Sequence, residues 1–155
     1  MRTVIFDLDG TLADTSGDLL AAANTCFESL GMAVRLKPET DAGVALRGGR
    51  AMLSLGIERE TGQAADPELL NAQYQPLLRA YEQAIDVHTR LYDGAMNAVE
   101  QLRTDGFKVG ICTNKPEYLA EKVVRAVERN KLHVLEPFMV KLTPLIRDLL
   151  PTALY

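Results

Sequence analysis

One short segment near the start of this 155-residue chain constrains its fold more than any other. Residues 3–6 read Thr-Val-Ile-Phe, a β-branched and aromatic run typical of a strand buried on both faces of a parallel sheet. The run ends abruptly at Asp7, and residues 7–15 read Asp-Leu-Asp-Gly-Thr-Leu-Ala-Asp-Thr. Open α/β sheets place their ligand sites at the carboxyl ends of strands. The segment therefore predicts an α/β fold with an acidic site at one edge of its sheet.

Two carboxylates spaced by two residues suit the transfer of a phosphoryl group. Asp7 would attack phosphorus and form an aspartyl-phosphate, and Asp9 would protonate the leaving alkoxide and then deprotonate water. A phosphate dianion must approach two carboxylates, so a hard cation such as Mg²⁺ is expected to offset the charge. Gly10 would allow a sharp turn past the ligand, and Thr11 would orient a carboxylate by hydrogen bonding.

The rest of the chain alternates helical and strand patterns in an α/β order. Apolar spacings of three and four predict helices, the first of them ending at Gly31, and a strand-like run lies between the last two. The predicted helices cover 18–30, 45–60, 68–85, 93–103 and 116 to about 127, and Asp93 is expected to cap the fourth of them. The second strand covers 107–112. Residues 132–142, interrupted by Pro137, are interpreted as a doubtful strand, and 144–150 as one or two helical turns.

The second strand also ends in residues suited to an anion. It is followed by Thr113, Asn114 and Lys115, and then by Pro116, which opens a helix. The Thr113 hydroxyl and the backbone N–H groups at the start of that helix would form an anion site. The alternative is a helix cap without a ligand.

Residues 6–15, Phe-Asp-Leu-Asp-Gly-Thr-Leu-Ala-Asp-Thr, resemble the first motif of the haloacid dehalogenase superfamily, in its phosphoglycolate phosphatase-like branch. Residues 111–116 resemble the second motif of that family. The resemblance implies a Rossmann-like core and a mobile helical cap inserted after the first strand. The parallel sheet of that core would be incomplete, because the sequence shows two clear strands and one doubtful one. The core would comprise 1–15 and 87–155, with 125–155 as an atypical tail, and the cap would comprise 16–86.

The resemblance also implies roles for single residues. Asp7 is expected to be the nucleophile and a Mg²⁺ ligand, and Asp9 the acid/base, whose backbone carbonyl also binds the metal. Thr113 is expected to hydrogen-bond the transferring phosphoryl group, with Asn114 and Lys115 completing the phosphate site.

Further candidates belong to the predicted cap. Arg47 and Arg50 flank two glycines, and related caps use this region to contact the distal group of the substrate; the alternative is a solvated loop. Three tyrosines are interpreted as core or interface residues and both histidines as structural or exposed: Tyr74, Tyr81, Tyr92, His88 and His133.

Two further motifs of the family are not found. The third supplies a lysine, for which Lys141 is the one positional candidate, because Lys115 lies inside the second motif. The fourth supplies acidic metal ligands, but the sole acidic residue after Lys141 is Asp148. The charge balance also changes, since residues 125–155 carry five basic and three acidic residues in a chain of net charge −4. We hypothesise a C-terminally truncated or frame-shifted member, with residues from about 125 not native to the fold.

The sequence thus predicts a Mg²⁺-dependent phosphatase acting on a small phosphorylated metabolite similar to phosphoglycolate. The alternatives are a sugar phosphomutase of the same branch and a catalytically impaired remnant or binding module. With 17 basic and 21 acidic residues, no nucleic-acid or membrane partner is expected. Acidic residues interrupt the N-terminal apolar run, so we expect a cytoplasmic protein, with Cys26 and Cys112 reduced. The oligomeric state stays open.

Overall fold

The structure is a computed structural model, and it describes residues 2–130. Its four short strands and six helices follow the alternating order expected of an α/β chain. In chain order they are β1 (Thr3–Phe6), β2 (Ala13–Asp14), α1 (Ser16–Ser29), α2 (Pro38–Ala45), α3 (Gly49–Thr61), α4 (Pro67–Gln83), β3 (Arg90–Leu91), α5 (Ala95–Thr104), β4 (Lys108–Ile111) and α6 (Glu117–Asn130).

The two strands predicted from their apolar runs lie side by side. β1 and β4 pair in parallel, with Thr3 opposite Lys108 and Phe6 opposite Ile111. Because the strands are parallel, the residues that follow each of them emerge at the same edge of the sheet. This pairing brings the chain after Phe6 next to the chain after Ile111.

The expectation that the first strand is buried on both faces is wrong for the described part of the chain. Residues of β1 alternate between exposed and half-buried, and Ile5 is 56% exposed. The physical reason is that β4 is the one strand paired with β1 among residues 2–130, so neighbouring elements cover the sheet only in part.

Helices α1 to α4 occupy the segment that was predicted to be helical. α1 packs against the other three, and its Phe27 lies so close to α3 that a Cβ on Gly56 would be 2.0 Å from the ring Cζ atom. The helix α2 was not predicted, because it has no regular series of apolar residues. One of its two buried residues is the charged Asp41. Its bidentate ion pair to Arg59 joins α2 to α3.

The chain enters and leaves this helical segment at one place. β2 and β3 form an antiparallel pair, with Ala13 opposite Leu91 and Asp14 opposite Arg90. Just inside the pair, the buried Asp18 carboxylate accepts hydrogen bonds from the backbone N–H groups of His88 and Thr89 and from the Thr89 hydroxyl. The two connections are therefore fastened to each other where the helices begin.

The remaining helices begin and end near their predicted bounds. Gly94, with φ of 80°, precedes α5 as its cap, so the prediction that Asp93 caps this helix is wrong by one residue. The left-handed backbone at that position is one that glycine adopts without strain. Within residues 2–130, no helix has the length and apolar character needed to cross a bilayer.

Candidate active site

The acidic segment forms a tight turn between β1 and β2. The N–H groups of Leu12 and Ala13 both donate to the Leu8 carbonyl, and the Leu8 side chain is buried. Gly10 has φ of 76°, and a Cβ there would lie 2.9 Å from a methyl carbon of Leu46. The turn thus requires glycine for two reasons: its backbone is left-handed, and the end of α2 packs directly on it.

Within the described residues, the Asp9 side chain has two polar partners, both at the same carboxylate oxygen. The hydroxyl of Thr15 donates to Asp9 Oδ1 at 2.5 Å, and Lys115 Nζ lies 3.3 Å from the same oxygen. The expectation that Thr11 orients a carboxylate is wrong, because Thr11 is exposed whereas the chain's return along β2 buries Thr15 beside Asp9.

Asp7 differs from Asp9 in being exposed. Its Oδ1 accepts a hydrogen bond of 2.7 Å from the Leu8 N–H, which fixes the carboxylate against its own backbone. An exposed carboxylate at the sheet edge is accessible to a ligand, as a nucleophile must be.

The second strand end lies beside the first. The Cys112 N–H donates to the Phe6 carbonyl at 2.8 Å, so Thr113 follows the paired strands at the same sheet edge as Asp7. Thr113 is 6% exposed, and its hydroxyl oxygen accepts from the Lys115 N–H at 3.2 Å. This bond uses the oxygen as an acceptor and leaves the hydroxyl hydrogen for an acceptor on a ligand.

Lys115 is a buried cation at the centre of the site. Its side chain is 5% exposed, and its ammonium donates to the Tyr81 hydroxyl at 3.1 Å while facing Asp9. Burial lowers the pKa of Lys115, an effect that the negative charges of Asp9 and Asp7 oppose. Burying an ammonium and a carboxylate together has a high desolvation cost. Buried charged groups with perturbed pKa values are common at functional sites.

A cleft opens above these residues, between the sheet edge and the helical segment. Asp9, Asn114 and Lys115 lie on its floor. The opposite wall consists mainly of apolar side chains and glycines from α2, α3, α4 and their connections, among them Ala45, Leu46, Gly48, Gly49, Tyr74 and Leu77. The cleft therefore combines one charged floor with an apolar cover.

The two candidate arginines, Arg47 and Arg50, do not line this cleft, although the glycines between them do. Arg47 and Arg50 are both exposed, and the Arg50 guanidinium lies 5.1 Å from the centre of the Tyr74 ring. Contact of either arginine with a substrate stays a prediction.

The donors at the turn fit Mg²⁺ in their chemistry. Asp7 offers carboxylate oxygens and Asp9 a backbone carbonyl oxygen, and Mg²⁺ is commonly bound through one or two carboxylates together with water and phosphate oxygens. Among residues 2–130, no group of three His, Cys, Asp or Glu side chains is placed to hold a metal by itself. A cation here would thus depend on oxygens from the ligand as well as on these two residues.

The structure describes both cysteines and one of the two histidines, but it does not describe three other residues named in the sequence analysis. Cys26 is buried, Cys112 is half-buried, and both are free thiols, while His88 is exposed. The candidates Lys141, Asp148 and His133 lie outside the described residues.

Sequence reasoning missed two residues that shape the site. Thr15 is part of the quoted motif, and its hydrogen-bonding side chain was a usable signal. Tyr81 was interpreted as a core residue, and it is 1% exposed, but its hydroxyl reaches Lys115. No spacing rule links residues 81 and 115, so only the folded chain reveals this contact.

Residues 1–142 match the family model described as haloacid dehalogenase-like hydrolase. The match extends past residue 124, where the sequence patterns had predicted the resemblance to end, and it includes Lys141.

The relatives found by sequence similarity agree with that match. The chain is 34% identical over 128 residues to the phosphoglycolate phosphatase of Nitrosospira multiformis, covering 83% of this chain and 56% of the relative. It is 39% identical over 127 residues to the phosphoglycolate phosphatase of Xylella fastidiosa strain 9a5c, covering 79% and 51%. The chain therefore spans about half the length of these relatives.

Solved structures support the fold. A predicted phosphoglycolate phosphatase from Haemophilus somnus superimposes with a TM-score of 0.65 at 17% identity, covering 83% of this chain and 58% of that one. At this identity the likeness shows the α/β fold with its incomplete Rossmann-like core, and it carries no argument about activity.

Proposed function

The chain belongs to the haloacid dehalogenase-like hydrolase family, and from this premise we propose that it hydrolyses a small phosphomonoester through a phosphorylated Asp7. One observation carries the proposal. The parallel pairing of β1 and β4 brings Asp7, Asp9, Thr113 and Lys115 to one sheet edge. These are the groups that a two-step phosphoryl transfer needs: a nucleophile, a proton carrier and donors for phosphate oxygens.

In the first step, an oxygen of Asp7 attacks phosphorus and the bond from phosphorus to the ester oxygen breaks. Asp9 gives its proton to that oxygen, so the leaving group departs as a neutral alcohol. In the second step, Asp9 takes a proton from water, and the water oxygen attacks phosphorus. The bond to Asp7 breaks, and inorganic phosphate is released, with Asp7 restored as a carboxylate and Asp9 restored in its protonated form.

Three features of the site suit these steps. The hydroxyl of Thr15 donates to the same Asp9 oxygen that the ammonium faces, so the acid/base is held in place. The hydroxyl of Thr113 and the ammonium of Lys115 would donate to phosphoryl oxygens, with Asn114 beside them on the floor of the cleft. Mg²⁺, held by Asp7 and Asp9, would supply the positive charge that lets the dianion approach two carboxylates.

The expected substrate class comes from the relatives and from the shape of the cleft. Both relatives described above are phosphoglycolate phosphatases, which favours a small phosphorylated acid for this chain. The apolar cover from α2 to α4 leaves the charged groups on one side, where a phosphate would bind. A sugar phosphomutase uses the same first step and would differ in the groups that the cover presents.

The test is hydrolysis of p-nitrophenyl phosphate and phosphoglycolate by the purified chain in Mg²⁺. Asp7→Asn removes the nucleophile and is expected to lower turnover by at least about 10³-fold. Asp93→Asn, at an exposed position outside the site, is the matched control and should keep full activity. Turnover that survives Asp7→Asn refutes the nucleophile.

Two other outcomes separate the alternatives. Binding of inorganic phosphate without turnover in the unsubstituted chain indicates a catalytically impaired binding module. Turnover of a sugar phosphate that rises strongly with a sugar bisphosphate activator indicates a phosphomutase.

A further inference from the structure

Tyr81 on helix α4 is buried, yet it makes a polar contact that the proposed reaction does not explain. Its hydroxyl accepts a hydrogen bond from Lys115 Nζ at 3.1 Å, and the same nitrogen lies 4.2 Å from the centre of the ring. The ring is 1% exposed and belongs to the helical segment, whereas Lys115 follows β4 at the sheet edge. The contact therefore joins two parts of the chain across the cleft.

The surroundings keep Tyr81 as an acceptor. Burial, together with the negative charges of Asp9 and Asp18, raises the pKa of the Tyr81 hydroxyl far above its ordinary value. The phenol thus stays neutral at physiological pH, and its oxygen lone pairs and ring face both attract the ammonium.

The ammonium of Lys115 has three N–H donors. In the part of the chain that the structure describes, its partners are Tyr81 Oη and Asp9 Oδ1. One donor is left over, beside the turn that carries the proposed nucleophile. Without the tyrosine oxygen, the buried ammonium would have Asp9 as its single strong partner, and electrostatic attraction would draw it onto that carboxylate.

We propose that Tyr81 is a positioning residue, whose hydroxyl and ring hold the Lys115 ammonium beside Asp9 with one N–H donor left for a phosphoryl oxygen. The inference rests on the proposed function, because it assigns Tyr81 a part in placing the phosphate-binding cation. It also links the two sides of the cleft, since the cation is correctly placed only while α4 packs over the sheet edge.

A double-mutant cycle on phosphate binding tests this inference. The affinity for inorganic phosphate is measured by calorimetry in Mg²⁺ buffer for the unsubstituted chain, Tyr81→Phe, Lys115→Met and the double variant. Tyr81→Phe removes one oxygen and keeps the ring, so the packing of α4 is preserved, and circular dichroism verifies the fold. Tyr118→Phe, at a 45% exposed position on α6, is the matched control.

We expect Tyr81→Phe to weaken phosphate binding about 3- to 10-fold, the factor for one hydrogen bond of ordinary net strength, because the lost bond acts on phosphate only through the ammonium and the ring contact is kept. Lys115→Met should weaken it more, and adding Tyr81→Phe to Lys115→Met should change it less than about 2-fold, because Tyr81 acts through the ammonium. Tyr118→Phe should leave the affinity unchanged. A merely structural role for Tyr81 would instead give the same factor in both backgrounds.

The possible failures are distinguishable. Equal factors in both backgrounds, or no effect of Tyr81→Phe in the unsubstituted chain, overturn this inference and leave the proposed function standing. Absence of phosphate binding and of turnover in the unsubstituted chain overturns both.

Discussion

Asp18 fastens the two connections of the helical segment, and replacing it by alanine gives a stability change that can be worked out from its contacts. The carboxylate is 1% exposed and accepts three hydrogen bonds of 2.7 to 2.9 Å from His88 and Thr89. In Asp18→Ala, the Thr89 hydroxyl can still donate to the Ile85 carbonyl, which lies 3.2 Å away. The backbone N–H of His88, an exposed residue, can donate to water instead. The buried N–H of Thr89 has no such substitute.

A buried N–H without an acceptor costs about 1–3 kcal/mol, and the lost bond to His88 adds about 1 kcal/mol. We therefore expect Asp18→Ala to lower the free energy of unfolding by about 2–4 kcal/mol. For a chain of this size, 3 kcal/mol corresponds to a fall in the melting temperature of about 6–12 °C. Asp18→Asn keeps one acceptor oxygen and should cost about half as much.

The assay is a urea titration in which far-ultraviolet circular dichroism monitors unfolding, and a thermal scan is a second measure. Asp93→Ala, at an exposed position, is the control and should stay within about 0.5 kcal/mol of the unsubstituted chain. If Asp18→Ala is no more destabilising than Asp93→Ala, or if Asp18→Asn is worse than Asp18→Ala, the hydrogen bonds do not fasten the connections as argued.

Two further predictions concern the helical segment. Gly56→Ala should destabilise the chain by at least about 1–3 kcal/mol, because the added Cβ meets Phe27. Gly43→Ala in α2 should instead stabilise it by about 0.5–1 kcal/mol, because a Cβ there meets nothing within 4 Å. Urea midpoints measure both changes, and equal shifts would contradict the packing of Gly56 against Phe27. The hydrogen bonds from Arg59 lower the pKa of Asp41 to about 2, so the stability it contributes is complete above about pH 4 and is lost as the pH falls toward 2. Asp41→Asn should therefore show a shallower loss of stability over that pH range, and an unchanged slope in urea midpoints would refute the role of the pair.

Local sequence was a good guide to the elements with a strong pattern of their own. The parallel strands β1 and β4 and the helices α1, α3 and α4 follow from apolar periodicity and from residues such as Gly31 that end a helix. The helix α2 lacks a regular apolar face, because the charged Asp41 is one of its buried residues. Pro38 at its first turn was the usable signal. The two-residue strands β2 and β3 are too short for any periodicity to reveal.

The same division holds within the candidate site. Asp7, Asp9 and Thr113 could be assigned from residue type and position at strand ends, which is local information. The partners of Asp9 could not, because Thr15 reaches it only after the turn closes and Lys115 only after two distant strands pair. The misjudged burial of β1 has a related cause, since exposure depends on how many elements cover a strand and not on its composition.

By itself, the sequence determined the α/β class, the family resemblance and the acidic turn that supplies the proposed nucleophile. These depend on neighbouring residues, whose backbone preferences and spacing act over one strand or one turn. The tertiary structure decided which cation faces Asp9, which tyrosine holds that cation, and how the helical segment is fastened through Asp18. Each of those contacts joins residues separated by dozens of positions, and only the pairing of strands and the packing of helices bring them within hydrogen-bond distance.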